Sequence, residues 1–385
     1  MPRIASFRLS ALELPFRKPF KHAAAARTTS SSLFLECELE NGTIGFGEAL
    51  PREYVTGETA AGAFELLAGS ILPRLIGHEL EHLGETRAFL TRCDGKAPAS
   101  WIPAETPQLA AWSAVDLALL DASGKACNRP AIDAPTVLPG RLAYSGVMSA
   151  DSGTSFVKSC LKFRLFGFRA VKLKVDEQVG IRSLEKLRRL LGPRVDVRAD
   201  ANMAWSADEA VRNMGEMSKY GVRSFEQPLA ADDIEGAARV VRETGLGVMA
   251  DESFTDRESL SRLIQARACT AVNVRISKNG GVTAALARCR EALAAGLIVQ
   301  IGCQVGETSL MSAAHLGLVA SVPETTYAEG CFGRFLLRED PVIPLLQFGP
   351  GGRPPLRPRG PGFGVTLDRE SLTRHTRRTV TIPAA

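Results

Sequence analysis

Several features that mark other classes of protein are scarce in this sequence. Aromatic residues make up only 6% of the 385 residues, and the arginines are spread along the chain, which is untypical of the basic stripes with aromatics in nucleic-acid-binding proteins. The eight cysteines include no C-x-x-C pair, so neither a zinc ribbon nor a disulfide framework is indicated, and we expect reduced thiols.

Long hydrophobic runs are also missing. No stretch reaches the roughly 18 apolar residues that span a bilayer, and residues 1–16 alternate polar and apolar side chains without the apolar core of a secretory signal. The formal net charge is only +5, from 47 Lys and Arg against 42 Asp and Glu. We therefore expect a cytoplasmic protein that binds neither nucleic acid nor membrane. A net charge of this size equally fits an anionic small-molecule substrate.

The N-terminal third of the chain predicts strands followed by helices. Alternating residues predict half-buried strands at 4–14 and 33–39, and Asn41-Gly42 is typical of a hairpin turn that leads to a return strand at 44–49. Apolar periodicity of 3.6 residues then predicts helices at 60–75 and 106–126. These elements indicate an α+β unit of about 130 residues.

From about residue 142, short apolar runs alternate with amphipathic stretches, which favours a parallel sheet; eight repeats favour a barrel. We predict an α/β fold, a (β/α)7-8 TIM-type barrel with an α+β capping domain. The predicted domains are 1–135 (N-terminal capping domain), 136–345 (barrel) and 346–385 (tail returning to the capping domain). Strands are expected at 142–148, 170–175, 195–201, 224–229, 247–252, 271–276, 297–303 and 326–331, and helices at 179–191, 207–220, 233–242, 257–266, 282–295 and 310–319. The last repeat is the weakest, since no clear helix follows Cys331.

Three carboxylates stand at the ends of consecutive predicted strands: Asp200, Glu226 and Asp251. Active sites of such barrels lie where the strands end, so these side chains should converge, and like charges repel unless a cation lies between them. Oxygen ligands without clustered His or Cys indicate a hard cation, Mg²⁺ first and Mn²⁺ second.

Two lysines leave strands on opposite sides of the predicted barrel. Lys174 ends the second strand and Lys278 follows the sixth. A buried lysine near a metal and another cation has a lowered pKa, as a general base at neutral pH requires. A metal that holds a substrate carboxylate would stabilise the enediolate formed when a base removes the α-proton.

An ordered set of motifs gives the chain a resemblance to a known family. Lys172-Leu173-Lys174, Asp200-Ala201-Asn202, Glu226-Gln227-Pro228, Asp251-Glu252 and Lys278-Asn279-Gly280-Gly281 follow one another at successive strand ends. With them the sequence resembles the enolase superfamily, and within it the muconate lactonizing enzyme subgroup, over almost the whole chain. Arg275 lies where many relatives have lysine.

The resemblance implies roles for individual residues. Asp200, Glu226 and Asp251 would be the Mg²⁺ ligands, Lys174 and Lys278 the acid/base pair, and Lys172, Asn202 and Glu252 would hold them in place. Substrate choice in the family depends on two capping-domain loops, expected here at 18–27 and 52–58. Lys21, Arg52 and Tyr54 from these loops either face the substrate or form loop surface; Glu307 and Glu329 are further candidates for substrate contact.

The resemblance leaves the reaction open. Racemisation or epimerisation of an acylated amino acid or similar carboxylate comes first and muconate-type cycloisomerisation second. A dehydration or o-succinylbenzoate-type synthesis comes third, and a non-catalytic carboxylate-binding relative is the alternative of another class. Dipeptide epimerases of the subgroup often carry Asp-x-Asp after the eighth strand, whereas this chain has Glu329-Gly330-Cys331. Relatives imply a homo-oligomer, either a dimer or an octamer. The expected binding partner is a small-molecule carboxylate substrate.

One motif competes with this interpretation. His78-Glu79-Leu80-Glu81-His82 matches the H-E-x-x-H pattern of zinc peptidases, which needs both histidines on one face of a rigid helix and a third ligand. The run follows Gly77 between two helical stretches. We therefore expect a solvated turn between helices here.

Overall fold

The computed structural model describes residues 2–22, 25–80, 82–135, 138, 140, 142–149, 153–175 and 180–383. Both ends of the chain contribute to one antiparallel sheet with the strand order β14-β1-β2-β3, formed by β1 (Ile4–His22), β2 (Ala25–Leu39), β3 (Ile44–Ala49) and β14 (Thr376–Pro383). The predicted turn at Asn41-Gly42 joins β2 to β3, and Gly42 has the positive φ of 78° that such a turn favours. Strands β1 and β2 are longer than predicted, because their pairing continues beyond Pro15 after an irregularity in the register.

Five helices follow on the chain: α1 (Glu53–Thr56), α2 (Ala60–Leu66), α3 (Leu72–Leu75), α4 (Leu83–Cys93) and α5 (Leu109–Ala126). The helix predicted at 60–75 is interrupted, since a π-helical turn at Leu67–Ile71 separates α2 from α3. The buried carboxylate of Glu58 accepts hydrogen bonds from the Ala110 and Ala111 amides, at 2.7 and 2.9 Å. A residue of the predicted substrate loop thus satisfies the N-terminal amides of α5.

The predicted barrel is confirmed. Eight parallel strands are paired in chain order: β4 (Gly146–Ser149), β5 (Ala170–Lys174), β6 (Asp196–Asp200), β7 (Ser224–Glu226), β8 (Gly247–Ala250), β9 (Ala271–Val274), β10 (Ile298–Ile301) and β11 (Tyr327–Ala328). The segment just before β4 meets β11: Tyr144 forms a parallel bridge with Ala328, and the Ser145 amide donates to the Ala328 carbonyl at 3.0 Å. The sheet therefore closes on itself.

Helices connect the strands, and all but the first of them were predicted: α6 (Thr154–Phe166), α7 (Gly180–Leu191), α8 (Ala207–Ser218), α9 (Ile234–Thr244), α10 (Arg257–Ala266), α11 (Val282–Ala294) and α12 (Ser309–Ser321). Helix α6 was not predicted, because its exposed Leu161 and Leu165 blur the apolar periodicity. After β11 the chain forms only a 3₁₀ turn at Gly333–Phe335, which agrees with the weak last repeat. No helix among the described residues is both long and apolar enough to cross a bilayer.

The tail returns to the capping sheet. It forms β12 (Val342–Ile343), β13 (Thr366–Leu367) and α13 (Arg369–His375), and then β14, which pairs with β1 from Ser6 opposite Pro383 to Leu12 opposite Thr376. Strands β12 and β13 pair with each other, across the boundary predicted at residue 345. The three domain ranges themselves stay predictions.

Candidate active site

Three predicted site residues lie side by side on neighbouring strands. Lys174 at the end of β5 is in register with Asp200 on β6, and Asp200 is in register with Glu226 on β7. Side chains at matching positions of parallel strands emerge on the same side of the sheet. The pairing register thus places one lysine and two carboxylates together at the mouth of the barrel.

Asp251 joins this group through a residue to which the sequence analysis gave no role. The side-chain carbonyl of Gln227 accepts hydrogen bonds from the Asp251 amide at 2.8 Å and the Ser253 amide at 3.2 Å. Gln227 adopts a positive φ of 37°, a strained conformation that clusters at functional sites. Gln227 therefore fixes the backbone of Asp251 next to Glu226.

The carboxylate of Glu226 is buried and held from below by a polar layer inside the barrel. It accepts hydrogen bonds from Asn273 Nδ2 at 2.9 Å and Gln300 Nε2 at 3.4 Å and pairs with Lys172 at 3.2 Å. Burial raises the pKa of Glu226, but the opposing effects of Lys172, Arg275 and Arg198 together lower it to about 2. Glu226 is therefore a permanent anion, as a metal ligand must be.

Lys172 connects the acids. Its Nζ lies 3.4 Å from Asp200 Oδ2 and 2.7 Å from Glu329 Oε2, besides its contact with Glu226. Burial alone would lower the pKa of this lysine, but the three surrounding carboxylates raise it above its usual range. Lys172 is therefore a fixed cation that holds the acids in place. For Asp200, burial raises the pKa of the carboxyl group.

Lys174 faces a different environment from Lys172. Its Nζ donates to Asn202 Oδ1 at 3.1 Å, and the side chain lines the cavity described below. Burial lowers its pKa, and the Lys172 and Arg275 charges lower it further, against the opposing effect of Asp200. This lowered pKa is what a general base requires.

Lys278 is completely buried behind Asp251. Its Nζ donates to the Asp251 carbonyl oxygen at 2.7 Å, to Asp251 Oδ1 at 2.8 Å and to the Asn273 carbonyl oxygen at 2.8 Å. Burial, and next the Arg275 charge, lower its pKa well below the usual range. The two predicted acid/base lysines thus lie on different sides of the carboxylates, with Lys174 beside Asp200 and Lys278 beside Asp251.

Glu252 is buried at the edge of the same group. Burial, with the negative charge of Asp200 adding to it, raises its pKa to about 7. Its Oε2 atom is buried without a hydrogen-bond partner, and the side chain lines the cavity. The surroundings of Glu252 therefore favour its protonated form.

Arg275, which precedes the predicted catalytic lysine by three residues, reaches between two of the acids. Its Nη2 forms an ion pair with Asp251 Oδ2 and lies 3.7 Å from Glu226 Oε1. Within the described part of the chain, no three His, Cys, Asp or Glu side chains are grouped tightly enough to chelate a metal ion; Lys172 and Arg275 lie between the acids instead.

The donor set nevertheless suits a divalent cation. The three acids supply only carboxylate oxygens, which Mg²⁺ and Mn²⁺ prefer. Asp251 Oδ2 is buried, and no hydrogen-bond donor approaches it with acceptable geometry, although the Arg275 charge is beside it. The chemistry of these donors therefore suits the metal predicted from the sequence, and the metal site itself stays a prediction.

A cavity of about 270 Å³ opens above these residues. Its lining has a charged and polar part, here called the floor, and a mainly apolar part, here called the rim. The floor includes Lys172, Lys174, Asp200, Asn202, Glu252, Arg275 and Glu329, and the rim includes Tyr54, Val147, Met148, Val305, Phe332 and Leu336. Such a combination is typical of small-molecule sites.

The five predicted substrate contacts have different locations. Tyr54 and Glu329 line the cavity, but Glu329 also binds Arg198 at 2.8 Å and Lys172 at 2.7 Å. Glu307 accepts a hydrogen bond from the Gln304 amide at 2.6 Å and is not part of the lining. The side chain of Lys21 lies outside the described part of the structure.

Arg52 has a role that the sequence analysis did not foresee. It is buried, and its guanidinium donates to the Ser31 carbonyl at 3.0 Å and to the Val305 carbonyl at 2.9 Å. These bonds connect the capping sheet to the segment that follows β10. Arg52 therefore supports the wall of the cavity without lining it.

The two glycines of Lys278-Asn279-Gly280-Gly281 are required by packing. A Cβ on Gly280 would lie 2.2 Å from the Gly95 carbonyl oxygen, and one on Gly281 would lie 2.4 Å from Asp116 Cβ. Asp116 Oδ1 accepts the Val282 amide at 2.7 Å. This motif therefore positions α11 against the capping domain and carries no information about the substrate.

The H-E-x-x-H run does not form a helical site. Glu79 bridges to Arg3 in an extended segment, and α4 begins only at Leu83. His78 is exposed and packs at ring-centroid distances of 6.4 Å from Phe89 and 6.5 Å from Trp101. The described part of the run thus lies between α3 and α4 as expected, but it is extended and paired with the N-terminal segment instead of forming a solvated turn.

Comparison with known families agrees with the fold. Residues 6–134 match the family described as "Mandelate racemase / muconate lactonizing enzyme, N-terminal domain". Residues 156–371 match the family described as "Enolase C-terminal domain-like". The chain belongs to the mandelate racemase/muconate lactonizing enzyme group of the enolase superfamily and is an isomerase of that superfamily.

Several characterised proteins are similar over most of their length. An L-Ala-D/L-Glu epimerase of Clostridium acetobutylicum is 28% identical over 79% of this chain and 84% of its own. An N-succinyl-L-Arg/Lys racemase of Bacillus cereus is 27% identical over 85% of this chain and 86% of its own. Muconate cycloisomerase 1 of Pseudomonas putida is 27% identical over 95% of this chain and 96% of its own. The structure of a Cytophaga hutchinsonii dipeptide epimerase with Mg and D-Ala-L-Val has a TM-score of 0.85 at 21% identity, covering 99% of this chain and 100% of its own.

Proposed function

We propose that this protein is a Mg²⁺-dependent isomerase that removes the proton α to a carboxylate, and that it racemises or epimerises an acylated amino acid or a similar carboxylate. One observation carries the proposal: two lysines with lowered pKa values, the half-buried Lys174 and the buried Lys278, flank one set of three carboxylates. A two-base reaction needs this arrangement, because one base removes the proton and the other returns it on the opposite face.

Each residue then has a defined task. Asp200, Glu226 and Asp251 would hold Mg²⁺, with Mn²⁺ as the second choice, and the bound cation would stabilise the negative charge of an enediolate. Lys174 and Lys278 exchange the α-proton, each in its neutral form as base and in its charged form as acid. Lys172 stays charged, and with Asn202 and Glu252 it maintains the positions of the reacting groups.

The apolar rim supports an uncharged distal group on the substrate. Tyr54, Phe332 and Leu336 face the cavity above the charged floor. Burial of apolar substrate atoms there contributes roughly 25 cal/mol per Å² of area. An N-acyl group or an apolar side chain suits this rim.

Glu329 supports an acylated substrate over one with a free ammonium group. It follows β11, where dipeptide epimerases of the subgroup often carry Asp-x-Asp, but it is engaged by Lys172 and Arg198. A carboxylate that already balances two buried cations offers little attraction to a third. The N-succinyl-L-Arg/Lys racemase of Bacillus cereus acts, by its name, on an acylated amino acid.

Cycloisomerisation of a muconate-like diacid remains the second proposal, because the similarity to muconate cycloisomerase 1 extends over 95% of the chain. The Lys278-Asn279-Gly280-Gly281 motif gives it no additional support, since packing explains both glycines. Dehydration or an o-succinylbenzoate-type synthesis comes third, followed by non-catalytic carboxylate binding. We further propose a homo-oligomer, a dimer or an octamer.

Proton NMR in D₂O with Mg²⁺ tests these proposals directly. The panel comprises N-acetyl and N-succinyl amino acids, dipeptides, muconates and their lactones. We expect the α-proton signal of an N-acyl amino acid to disappear while the optical rotation falls to zero. The controls are the Lys174→Ala, Lys278→Ala double variant and enzyme treated with EDTA.

The remaining outcomes separate the alternatives. Lactone interconversion without inversion of an amino acid would replace the racemase by a cycloisomerase, and a new olefinic signal would indicate dehydration. Exchange confined to dipeptides with a free ammonium group would contradict the argument from Glu329. Binding of Mg²⁺ and of N-acyl amino acids without turnover would identify a non-catalytic relative.

A further inference from the structure

Arg275 differs from the other cations of the site in how its charge is balanced. Within the described part of the chain, its ion pairs are with Asp251 and Glu226, two of the three proposed metal ligands. Its side chain also donates a hydrogen bond from Nη1 to Gln304 Oε1 at 3.3 Å, and Gln304 is a neutral partner. The Arg275 charge also opposes the raised pKa of Glu307, but the described ion pairs of the guanidinium are with the proposed ligand set.

Lys172 provides the contrast. It also lies between two proposed ligands, at 3.4 Å from Asp200 and 3.2 Å from Glu226, but Glu329 holds it from outside the set at 2.7 Å. Lys172 can keep an ion pair when the acids bind a metal, whereas Arg275 loses the acids it depends on. Two cations that share the same carboxylate oxygens exclude each other, because like charges repel strongly in a buried site.

Arg275 is slightly more exposed than Lys172. Its side chain is 11% exposed, against 6% for Lys172, and it lines the cavity beside Gln304. Its Nε is buried without a hydrogen-bond partner. The guanidinium is thus held in its place mainly by the charges of Asp251 and Glu226.

We propose that Arg275 is an internal counter-ion that competes with the divalent cation for Asp251 and Glu226. The inference rests on the metal ligands proposed above. It predicts that Arg275 weakens Mg²⁺ binding and, in the absence of Mg²⁺, stabilises the fold by neutralising carboxylates that would otherwise repel one another. Arg275 is thereby a positioning residue that sets the metal affinity of the site.

The test measures Mg²⁺ binding to the full chain by calorimetry and thermal unfolding in EDTA and in Mg²⁺. We expect Arg275→Gln to bind Mg²⁺ at least tenfold more tightly than the wild type. Its Tm should fall in EDTA, and the rise in Tm on adding Mg²⁺ should be larger. Arg275→Lys keeps the charge but cannot reach both acids with one planar group. We therefore expect its Mg²⁺ affinity and its Tm to lie between those of the wild type and Arg275→Gln.

Two variants separate direct competition from general electrostatics and from failure of the ligand set. Arg198→Gln removes another buried charge near Glu226, but Arg198 pairs with Glu329, so its Mg²⁺ affinity should change less than threefold. Asp251→Asn should weaken Mg²⁺ binding; if it does not, the proposed ligand set is wrong. If it does, and Arg275→Gln keeps the wild-type affinity and Tm in EDTA, only the competition is overturned.

The remaining outcomes are also decisive. Equal tightening by Arg198→Gln and Arg275→Gln would replace competition by a general charge effect. If Arg275→Gln does not fold without metal, Arg275→Lys decides the question: wild-type Mg²⁺ affinity in that variant overturns the proposal, and affinity about threefold tighter supports it.

Discussion

Lys278 donates two hydrogen bonds to a single residue, Asp251: one to its carbonyl oxygen at 2.7 Å and one to its carboxylate at 2.8 Å. A third bond, to the Asn273 carbonyl, completes the donor capacity of the ammonium group. The proposed acid/base residue and the proposed metal ligand therefore form one unit. A substitution of either is expected to affect the other.

Removal of either lysine should abolish racemisation. We expect Lys174→Ala and Lys278→Ala each to lower kcat for inversion by about 10²–10⁴, the usual contribution of general acid–base catalysis, while circular dichroism stays that of the folded protein. Polarimetry measures inversion of the substrate, and α-proton exchange measures removal of the proton. Lys219→Ala, at an exposed lysine, is the control, and full activity in either lysine variant would contradict the two-base reaction.

Replacement of one proposed ligand should weaken metal binding. We expect Asp251→Asn to reduce Mg²⁺ affinity by at least tenfold in calorimetry, because an amide cannot supply the negative charge that a hard cation prefers. Asp116→Asn is the matched control, since Asp116 is equally buried but contacts the amides of α11. An unchanged affinity in Asp251→Asn would remove this residue from the ligand set.

The rate should depend on pH through both lysines. The base must be neutral, so kcat rises with pH through its pKa; the acid must be charged, so kcat falls as pH rises through the second pKa. Burial lowers the pKa of Lys174 and that of Lys278, so both limbs of the bell should lie below the usual lysine value of about 10.5. A rate still rising at pH 10.5 would show that neither lysine titrates as proposed.

Asp116 should make the protein less stable at neutral pH than at acidic pH. Burial raises its pKa to about 6, so its favourable contribution is fully present below its unfolded value near 4 and is lost as pH rises through 6. Both amides that it binds contact Oδ1, so Asn can preserve these bonds without the charge. We expect Asp116→Asn to raise the free energy of unfolding by up to about 3 kcal/mol at pH 8.

Urea unfolding at pH 4 and pH 8 measures this effect. The difference in the free energy of unfolding between Asp116→Asn and wild type should shrink to near zero at pH 4, where both side chains are neutral. An identical difference at the two pH values would show that the ionisation of Asp116 does not contribute.

Glu58 should stabilise the capping domain. Its removal in Glu58→Ala leaves the amides of Ala110 and Ala111 buried without acceptors, so we expect a loss of about 1–3 kcal/mol in the free energy of unfolding. Glu53→Ala, at an exposed position of the same loop, should change stability by less than about 0.5 kcal/mol. Equal effects of the two substitutions in chemical denaturation would contradict this role.

Much of the fold, and the grouping of Lys174, Asp200 and Glu226, could be predicted from the sequence, because both depend on local repetition. The alternation of strands and helices predicted the barrel. The register of β5, β6 and β7 then places Lys174, Asp200 and Glu226 side by side, as their positions at successive strand ends indicated. Helix α6 was not predicted because exposed Leu161 and Leu165 obscure its amphipathic pattern.

The roles of residues that meet only through barrel closure could not be predicted. Asn273 and Gln300 lie within strands β9 and β10, yet both donate to Glu226, and Arg52 from the capping loop donates to the Val305 carbonyl. These contacts connect residues far apart in the chain, and no local pattern encodes them.

The sequence by itself therefore determined which chemical groups reach the mouth of the barrel, since strand and helix periods are properties of neighbouring residues. Only the tertiary structure decided which cation balances which carboxylate. Lys172 is shared with Glu329 and is fixed, whereas Arg275 depends on Asp251 and Glu226. That distinction arises because the energy of a buried charge is set by its distance to every other charge around it.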